Sequence, residues 1–130
     1  MNRKDGYNKD VKGKIGGLDV VKDDFNAEFV INKAGAKIYK DLARHCILEI
    51  PTLKNQAGNG KVYEVLSVGV MSGIPIATVK IGGLPVTFRL PPDLIGWCQH
   101  SMGIAMQGVR LFPTKVEFGQ LNGRHYAELI

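Results

Sequence analysis

The sequence predicts a β-rich α+β fold, and three observations point to it. Short apolar runs alternate with glycine-containing turns over residues 61–90 and 109–130. Between these two stretches, one apolar stripe at helical spacing follows Pro91-Pro92-Asp93. The peptide Lys-Ile-Gly-Gly-Leu occurs at residues 14–18 and again at 80–84. Because glycine adopts positive φ without steric cost, each Gly-Gly pair predicts a tight turn between two strands.

Composition is that of a globular chain with a modest basic surplus. The 130 residues are 45% apolar and 22% charged, and the net charge is +5. The sequence has neither an apolar run long enough to span a membrane nor the apolar stretch of a secretory signal. We therefore expect a cytoplasmic protein, no membrane partner, and free thiols at Cys46 and Cys98. The charge alone fits either a polyanion partner or simply a basic protein.

The first sixty residues predict an arm followed by local elements. Residues 1–13 are polar and basic, which predicts a flexible arm. A hairpin at 14–21 and a strand near Phe25–Ile31 come next. Apolar residues at helical spacing then predict one amphipathic helix from an Asn32 N-cap through about residue 47. A strand over His45–Ile50 is the alternative for the end of that segment.

From residue 61 the elements follow the order β-β-β-α-β-β. The strands are predicted at Lys61–Met71, Pro75–Ile81, Leu84–Leu90, Val109–Phe118 and Arg124–Ile130, and the helix runs from Pro91-Pro92-Asp93 to a Gly108 cap. The first strand is expected to place Val62, Leu66, Val68 and Val70 on one face. This order is that of the OB-fold, a five-stranded and partly open barrel.

We therefore expect a single globular domain over 14–130, with an OB-like core at 61–130 preceded by a hairpin, strand and helix at 14–60. A rival layout treats the two copies of the repeat as two related hairpin-then-helix halves of one sheet. The predicted helices begin at different distances after the two copies, which argues against a duplication.

Residues with catalytic or metal-binding chemistry form no recognisable motif. His45-Cys46 and Cys98-Gln99-His100 lack the ligand spacing of a zinc site, and both cysteines lie on apolar stripes where a thiol is a small core residue. Neither the Gly-x-Ser-x-Gly turn of hydrolases nor a phosphate-binding glycine loop is present. We therefore expect no metal, no cofactor and no catalytic activity.

Basic and aromatic residues alternate along the predicted strands, which suggests a binding surface. If their sides coincide, the sheet presents cations to phosphates and rings to bases, as single-stranded nucleic acid requires. The sequence thus predicts a non-catalytic protein that binds single-stranded DNA or RNA, of the kind found in phages or mobile elements. The predicted site residues are Lys61, Tyr63, Lys80, Phe88, Arg89, Arg110, Arg124 and Tyr126.

The alternative is a structural or assembly subunit that forms a homo-oligomer and has no nucleic-acid site. Strands that are apolar on both faces must be covered on both, and a second subunit is one way to do so. Exposed strand edges and the methionine-bearing predicted helix, with Met102 and Met106, are the surfaces expected to form the contact.

Overall fold

The computed structural model describes residues 13–15, 17–54 and 59–130, and it confirms a β-rich α+β fold. Two compact units are present, Met1–His45 and Cys46–Ile130. The two units meet between residues 45 and 46, whereas the sequence predicts one domain over 14–130 that is subdivided after residue 60. Except for Gly13, the predicted arm at 1–13 lies outside the described residues.

The described part of the first unit consists of short antiparallel strands and one 3₁₀ turn. A hairpin at the first copy of the repeat pairs Lys14 with Asp19 and Ile15 with Leu18, as the Gly-Gly turn predicts. A three-stranded sheet follows, and a 3₁₀ helix ends the unit. The elements are β1 (Lys14–Ile15), β2 (Leu18–Asp19), β3 (Val21–Lys22), β4 (Glu28–Ile31), β5 (Lys37–Tyr39) and the 3₁₀ helix Leu42–Arg44.

The amphipathic helix predicted from Asn32 to about residue 47 is wrong, because Asn32 starts a turn and not a helix. Its side-chain oxygen accepts a hydrogen bond from the N–H of Ala36 at 3.0 Å, and Gly35 adopts φ +90°. An asparagine side chain that bonds its own backbone in this way stabilises a turn. The turn joins β4 to β5, so Ile38 is buried as a strand residue.

The second unit is built on one open sheet with a helix against it. Its elements are β6 (Thr52–Leu53), β7 (Lys61–Met71), β8 (Ile74–Ile81), β9 (Leu84–Arg89), a 3₁₀ helix (Pro92–Leu94), α1 (Ile95–Met106), β10 (Thr114–Leu121) and β11 (Arg124–Leu129). The strand order is β11-β10-β7-β8-β9, with β6 parallel to β10. Strand β10 returns to lie beside β7 after the helix, which is the Greek-key arrangement.

Two details differ from the sequence-based expectation. The sheet of the second unit is open, and its edge strands β9 and β11 are not paired with each other. The fourth predicted strand begins at Thr114, so Val109–Pro113 connects α1 to β10 without strand pairing. Arg110 consequently belongs to a connecting segment and not to the sheet.

The core of the second unit lies on one face of the sheet, called here the inner face. Strand alternation places Val65, Val79, Val116 and Phe118 on this face, where each is 0% exposed. Helix α1 covers it with Cys98 and other apolar residues. Residues 46–53 also contribute to this core through Leu48, and the N–H of Gln120 donates to the carbonyl of Pro51 at 2.9 Å.

Gly60 lies very close to the backbone of this core. A Cβ at residue 60 would overlap the carbonyl oxygen of Phe118, a backbone atom of the buried strand β10. Glycine allows this contact because it has no side chain.

We predict that Gly60→Ala destabilises the protein by about 1–3 kcal/mol, since the added methyl group forces β10 to shift. Urea unfolding of the full chain measures the change. Gly103→Ala is the matched control: nothing lies within 4 Å of its added Cβ, and alanine in a helix interior should stabilise by up to about 1 kcal/mol. Equal effects of the two variants would contradict the packing argument.

Candidate functional site

The predicted site residues do not share one face of the sheet. Lys61, Tyr63 and Phe88 project to the inner face, because their cross-strand partners Phe118, Val116 and Ala77 are core residues. The remaining strand residues of the set project to the opposite, outer face. These are Lys80, Arg89, Arg124 and Tyr126.

The three rings proposed for base stacking are held by protein contacts. Tyr63 is 8% exposed, contrary to the expectation of a surface ring, and its hydroxyl donates to the carbonyl of Glu49 at 2.7 Å. Phe88 packs against the core. Tyr126 lies over Gly119, its cross-strand partner, and its hydroxyl donates to the carboxylate of Glu117. Each ring therefore stabilises the sheet.

The predicted cations occupy separate places. Lys61 bonds the carboxylate of Glu49 at 2.7 Å and lies 5.1 Å from the centre of the Tyr63 ring. The hydrogen bond and the charge of Lys61 lower the pKa of Glu49. Arg110 follows α1, and Arg124 begins β11 beside the Asn122-Gly123 turn. The three arginines thus lie on a helix connection, a hairpin tip and the end of β9, and no single groove collects them.

The outer face between Lys80 and Arg89 is not an open track for a polyanion. Ile76, Thr78 and Thr87 lie between them, and they are 6%, 2% and 4% exposed. The two threonine hydroxyls bond each other at 3.1 Å. Elsewhere on this face, Glu64 stands opposite Lys115, and Glu117 opposite Glu128. Charges of both signs alternate, so no uniform positive potential is built.

The two cysteines differ in exposure. Cys98 is fully buried, and burial raises the pKa of its thiol to about 12. It is thus the core residue that the sequence predicted. Cys46 is exposed, although its apolar spacing predicted burial. Within residues 13–15, 17–54 and 59–130, no three histidine, cysteine or acidic side chains are grouped to hold a metal ion.

The free edge of β11 is the first candidate site that sequence reasoning did not identify by residue. The N–H of His125 points away from β10 and donates to Asp93 at 2.8 Å, while the His125 imidazole contacts the same carboxylate at 2.9 Å. Alternation directs the N–H groups of Ala127 and Leu129 the same way. Leu129 and Ile130 are 44% and 67% exposed.

The opposite edge, β9, offers less to a partner. Pro85 lacks an N–H, and Arg89 already exchanges hydrogen bonds with Cys46 and Leu48, both at 2.9 Å. Proline and covering segments are ways in which proteins block strand edges. The β9 edge also has an exposed apolar residue, Leu84, but Pro85 and residues 46–48 restrict strand addition there, whereas Ala127 and Leu129 of β11 direct their N–H groups outward beside exposed apolar side chains.

A second candidate is an apolar cleft of about 390 Å³ beside the C-terminal half of α1. Its floor is the central part of β7, where the pairing with β8 shifts between Val65 and Ser67. A bulge of this kind bends the strand and re-aims its side chains. The lining residues are Leu66, Ser67, Val68, Ser101, Met102, Ala105, Met106, Val109, Arg110, Leu111 and Phe112.

The first unit holds a polar pocket of about 560 Å³. Lys22, Lys40 and Arg44 line it, but so do Glu28 and Asp41, and Lys40 is 3.4 Å from Glu28. Asp41 also caps the 3₁₀ helix by accepting from the N–H of Ala43. The positive groups of this pocket therefore lie beside carboxylates that line the same pocket.

No protein-family model, curated protein or solved structure matches the chain. No helix within the described residues is long and apolar enough to cross a membrane.

The contact between Asp93 and His125 predicts a pH dependence of stability. Partial burial alone would raise the pKa of Asp93, but the His125 N–H and imidazole lower it, and the net shift is downward from the ordinary 3.8. Ionised Asp93 therefore stabilises the fold above that ordinary value, and the contribution is lost as the pH falls through the lowered pKa.

We predict that Asp93→Asn is less stable than the wild type at neutral pH, and that the difference disappears in acid below the ordinary pKa of 3.8. Urea unfolding across this pH range measures it. Glu128→Gln, which removes an exposed carboxylate from β11, the strand that carries His125, is the control and should not reproduce this loss. A pH-independent loss in Asp93→Asn would refute the electrostatic explanation.

Proposed function

We propose that this chain is a non-catalytic structural subunit that self-associates through the edge of β11. The observation that carries the proposal is the free edge itself: outward N–H groups at Ala127 and Leu129 beside exposed apolar side chains. Unpaired strand edges are templates for pairing with another chain. This is the assembly alternative that the sequence left open, now attached to a named strand.

A second copy related by a two-fold axis fits this edge best. Two β11 strands would then run antiparallel, and antiparallel pairing is slightly more stable per residue than parallel pairing. Pairing β11 with β9 of another copy is less favourable, because Pro85, Cys46 and Leu48 restrict that edge. The N–H of His125 already donates to the Asp93 carboxylate. The hydrogen bonds between the two copies would therefore begin at Ala127.

We also propose an OB-like assignment for Cys46–Ile130. The β-β-β-α-β-β order from Lys61 and the Greek-key sheet support it. The Asp93 contact supports it further, because Asp93 lies four positions after the end of β9 and bonds β11 at the other edge. The sheet must curl strongly for its two edges to come this close.

We predict that the wild type forms a dimer and that Leu129→Lys is a monomer at the same concentration. A charge projecting inward from an edge strand is a known barrier to strand addition. Light scattering coupled to size-exclusion chromatography measures the mass. Val109→Lys is the control, because Val109 has a similar exposed fraction, 49%, but lies away from the edge. A monomeric wild type, or equal loss of association in both variants, would refute the proposal.

Binding of single-stranded DNA or RNA is the second candidate function. The observation that favours it is a set of exposed cations whose side chains make no ion pair with any described residue: Lys80, Arg110, Lys115 and Arg124. Without exposed rings on the sheet, such binding would rest on phosphate attraction and would be tolerant of sequence.

We predict for this candidate that a labelled single-stranded oligonucleotide binds with an affinity that falls steeply as salt rises. Replacing Arg110 and Arg124 with glutamine should flatten the slope of log affinity against log salt by about 1.4, since each phosphate contact contributes roughly 0.7. Glu128→Gln should leave the slope unchanged. Absence of binding at low salt would eliminate this candidate and would leave the assembly proposal intact.

A further inference from the structure

The apolar cleft beside α1 has the dimensions and lining of a small-molecule site. Its volume of about 390 Å³ falls within the range typical of ligand pockets. Eight of its eleven lining residues are apolar, and they come from β7, the second half of α1 and the segment after it. A few polar groups stand among them, as specific ligand sites require.

Arg110 is the one charged residue in this lining. No carboxylate lines the cleft, and the guanidinium makes no ion pair with any residue that the structure describes. A planar guanidinium matches a carboxylate with two parallel hydrogen bonds. The cleft therefore favours a ligand with one anionic end.

Ser101 gives an independent indication of a ligand. Ser101 is 3% exposed and lines the cleft from α1. Over the described part of the chain, its hydroxyl has no hydrogen-bond partner. A buried hydroxyl without a partner is costly, and a ligand oxygen would satisfy it. Ser67, on the facing strand, offers a second hydroxyl.

We propose that this cleft binds an amphiphilic monocarboxylate with an unbranched apolar chain, such as a medium-chain fatty acid. The carboxylate pairs with Arg110 and accepts from Ser101, while the chain lies against Met102, Ala105 and Phe112. Methionine side chains adapt to ligands of varied length because they are unbranched and flexible. The site is separate from the β11 edge and shares only Arg110 with the cations of the nucleic-acid candidate.

The protein contains its own reporter for this site. Trp97 is the single tryptophan of the chain, and its ring centre lies 6.3 Å from that of Phe112, a lining residue. Occupancy of the cleft should therefore change the tryptophan fluorescence. Calorimetry provides a second measurement that does not depend on this ring.

The test titrates the full chain with octanoate, decanoate and decyltrimethylammonium, all below their micellar concentrations. Decanoate should bind roughly tenfold more tightly than octanoate, because each buried methylene adds about three- to fourfold in affinity. Decyltrimethylammonium, with the same chain and the opposite charge, should bind at least tenfold more weakly than decanoate.

Three variants assign the binding to the cleft. Ala105→Phe should abolish it by filling the apolar space, and Arg110→Gln should weaken decanoate at least fivefold and remove the preference over the cationic amphiphile. Ser101→Ala should weaken decanoate about fivefold, the value of one hydrogen bond. Lys33→Gln removes an equal charge from an exposed position in the first unit and should change nothing.

Failure of decanoate to bind would overturn the proposal. Equal affinity for the two decyl amphiphiles would overturn it too, and so would equal decanoate affinity of Arg110→Gln and Lys33→Gln. In either case the apolar tail of the ligand would be bound without a contribution from its carboxylate. Unchanged binding in an Ala105→Phe variant with a native circular dichroism spectrum would place the amphiphile elsewhere.

Discussion

Burial of Phe118 is the interaction on which the second unit depends. Its ring is 0% exposed and lies 6.0 Å from Tyr63 and 5.7 Å from Trp97, centre to centre. These three rings join the central strand β7, its neighbour β10 and helix α1. Edge-to-face ring pairs add about 0.5–1.5 kcal/mol each beyond the area that they bury. Gly60 allows the chain to approach the same residue from the backbone side. The two proposed binding features, the β11 edge and the cleft, are both positioned by elements that pack on this ring.

Much of the fold follows from local sequence signals. Gly-Gly pairs give both predicted hairpins, and Pro91-Pro92-Asp93 leads into α1 through a 3₁₀ turn. The helix predicted from Asn32 is wrong because an asparagine side chain can either cap a helix or close a turn. Here Gly35, at φ +90°, allows the turn. The faces of β7 were equally hard to assign. A bulge between Val65 and Ser67 changes the alternation, so Val62 projects outward while Val68 and Val70 project to the core.

The candidate sites were less accessible from sequence, because each depends on pairing between distant residues. Tyr63 is buried by residues 46–53 and β10, which no local pattern around residue 63 records. The β11 edge is a candidate because, among the described strands, β11 pairs only with β10. In the cleft, Arg110 and Ser67 line the same space only because the segment after α1 leads into β10, which returns beside β7. The spacing of Met102 and Met106 predicts one apolar face of a helix, and the structure confirms the helix. Spacing alone does not show whether another element covers that face.

The repeated pentapeptide has a consequence for recognition. Its two copies fold into hairpins with the same register: Lys14 and Ile15 pair with Asp19 and Leu18, as Lys80 and Ile81 pair with Pro85 and Leu84. Gly17 and Gly83 adopt nearly equal φ angles of +82° and +84°. Each compact unit thus carries one hairpin of this register. A partner that recognised the register and the shared residues would find two binding places on every chain. Binding to both would give an avidity above the affinity for either hairpin alone.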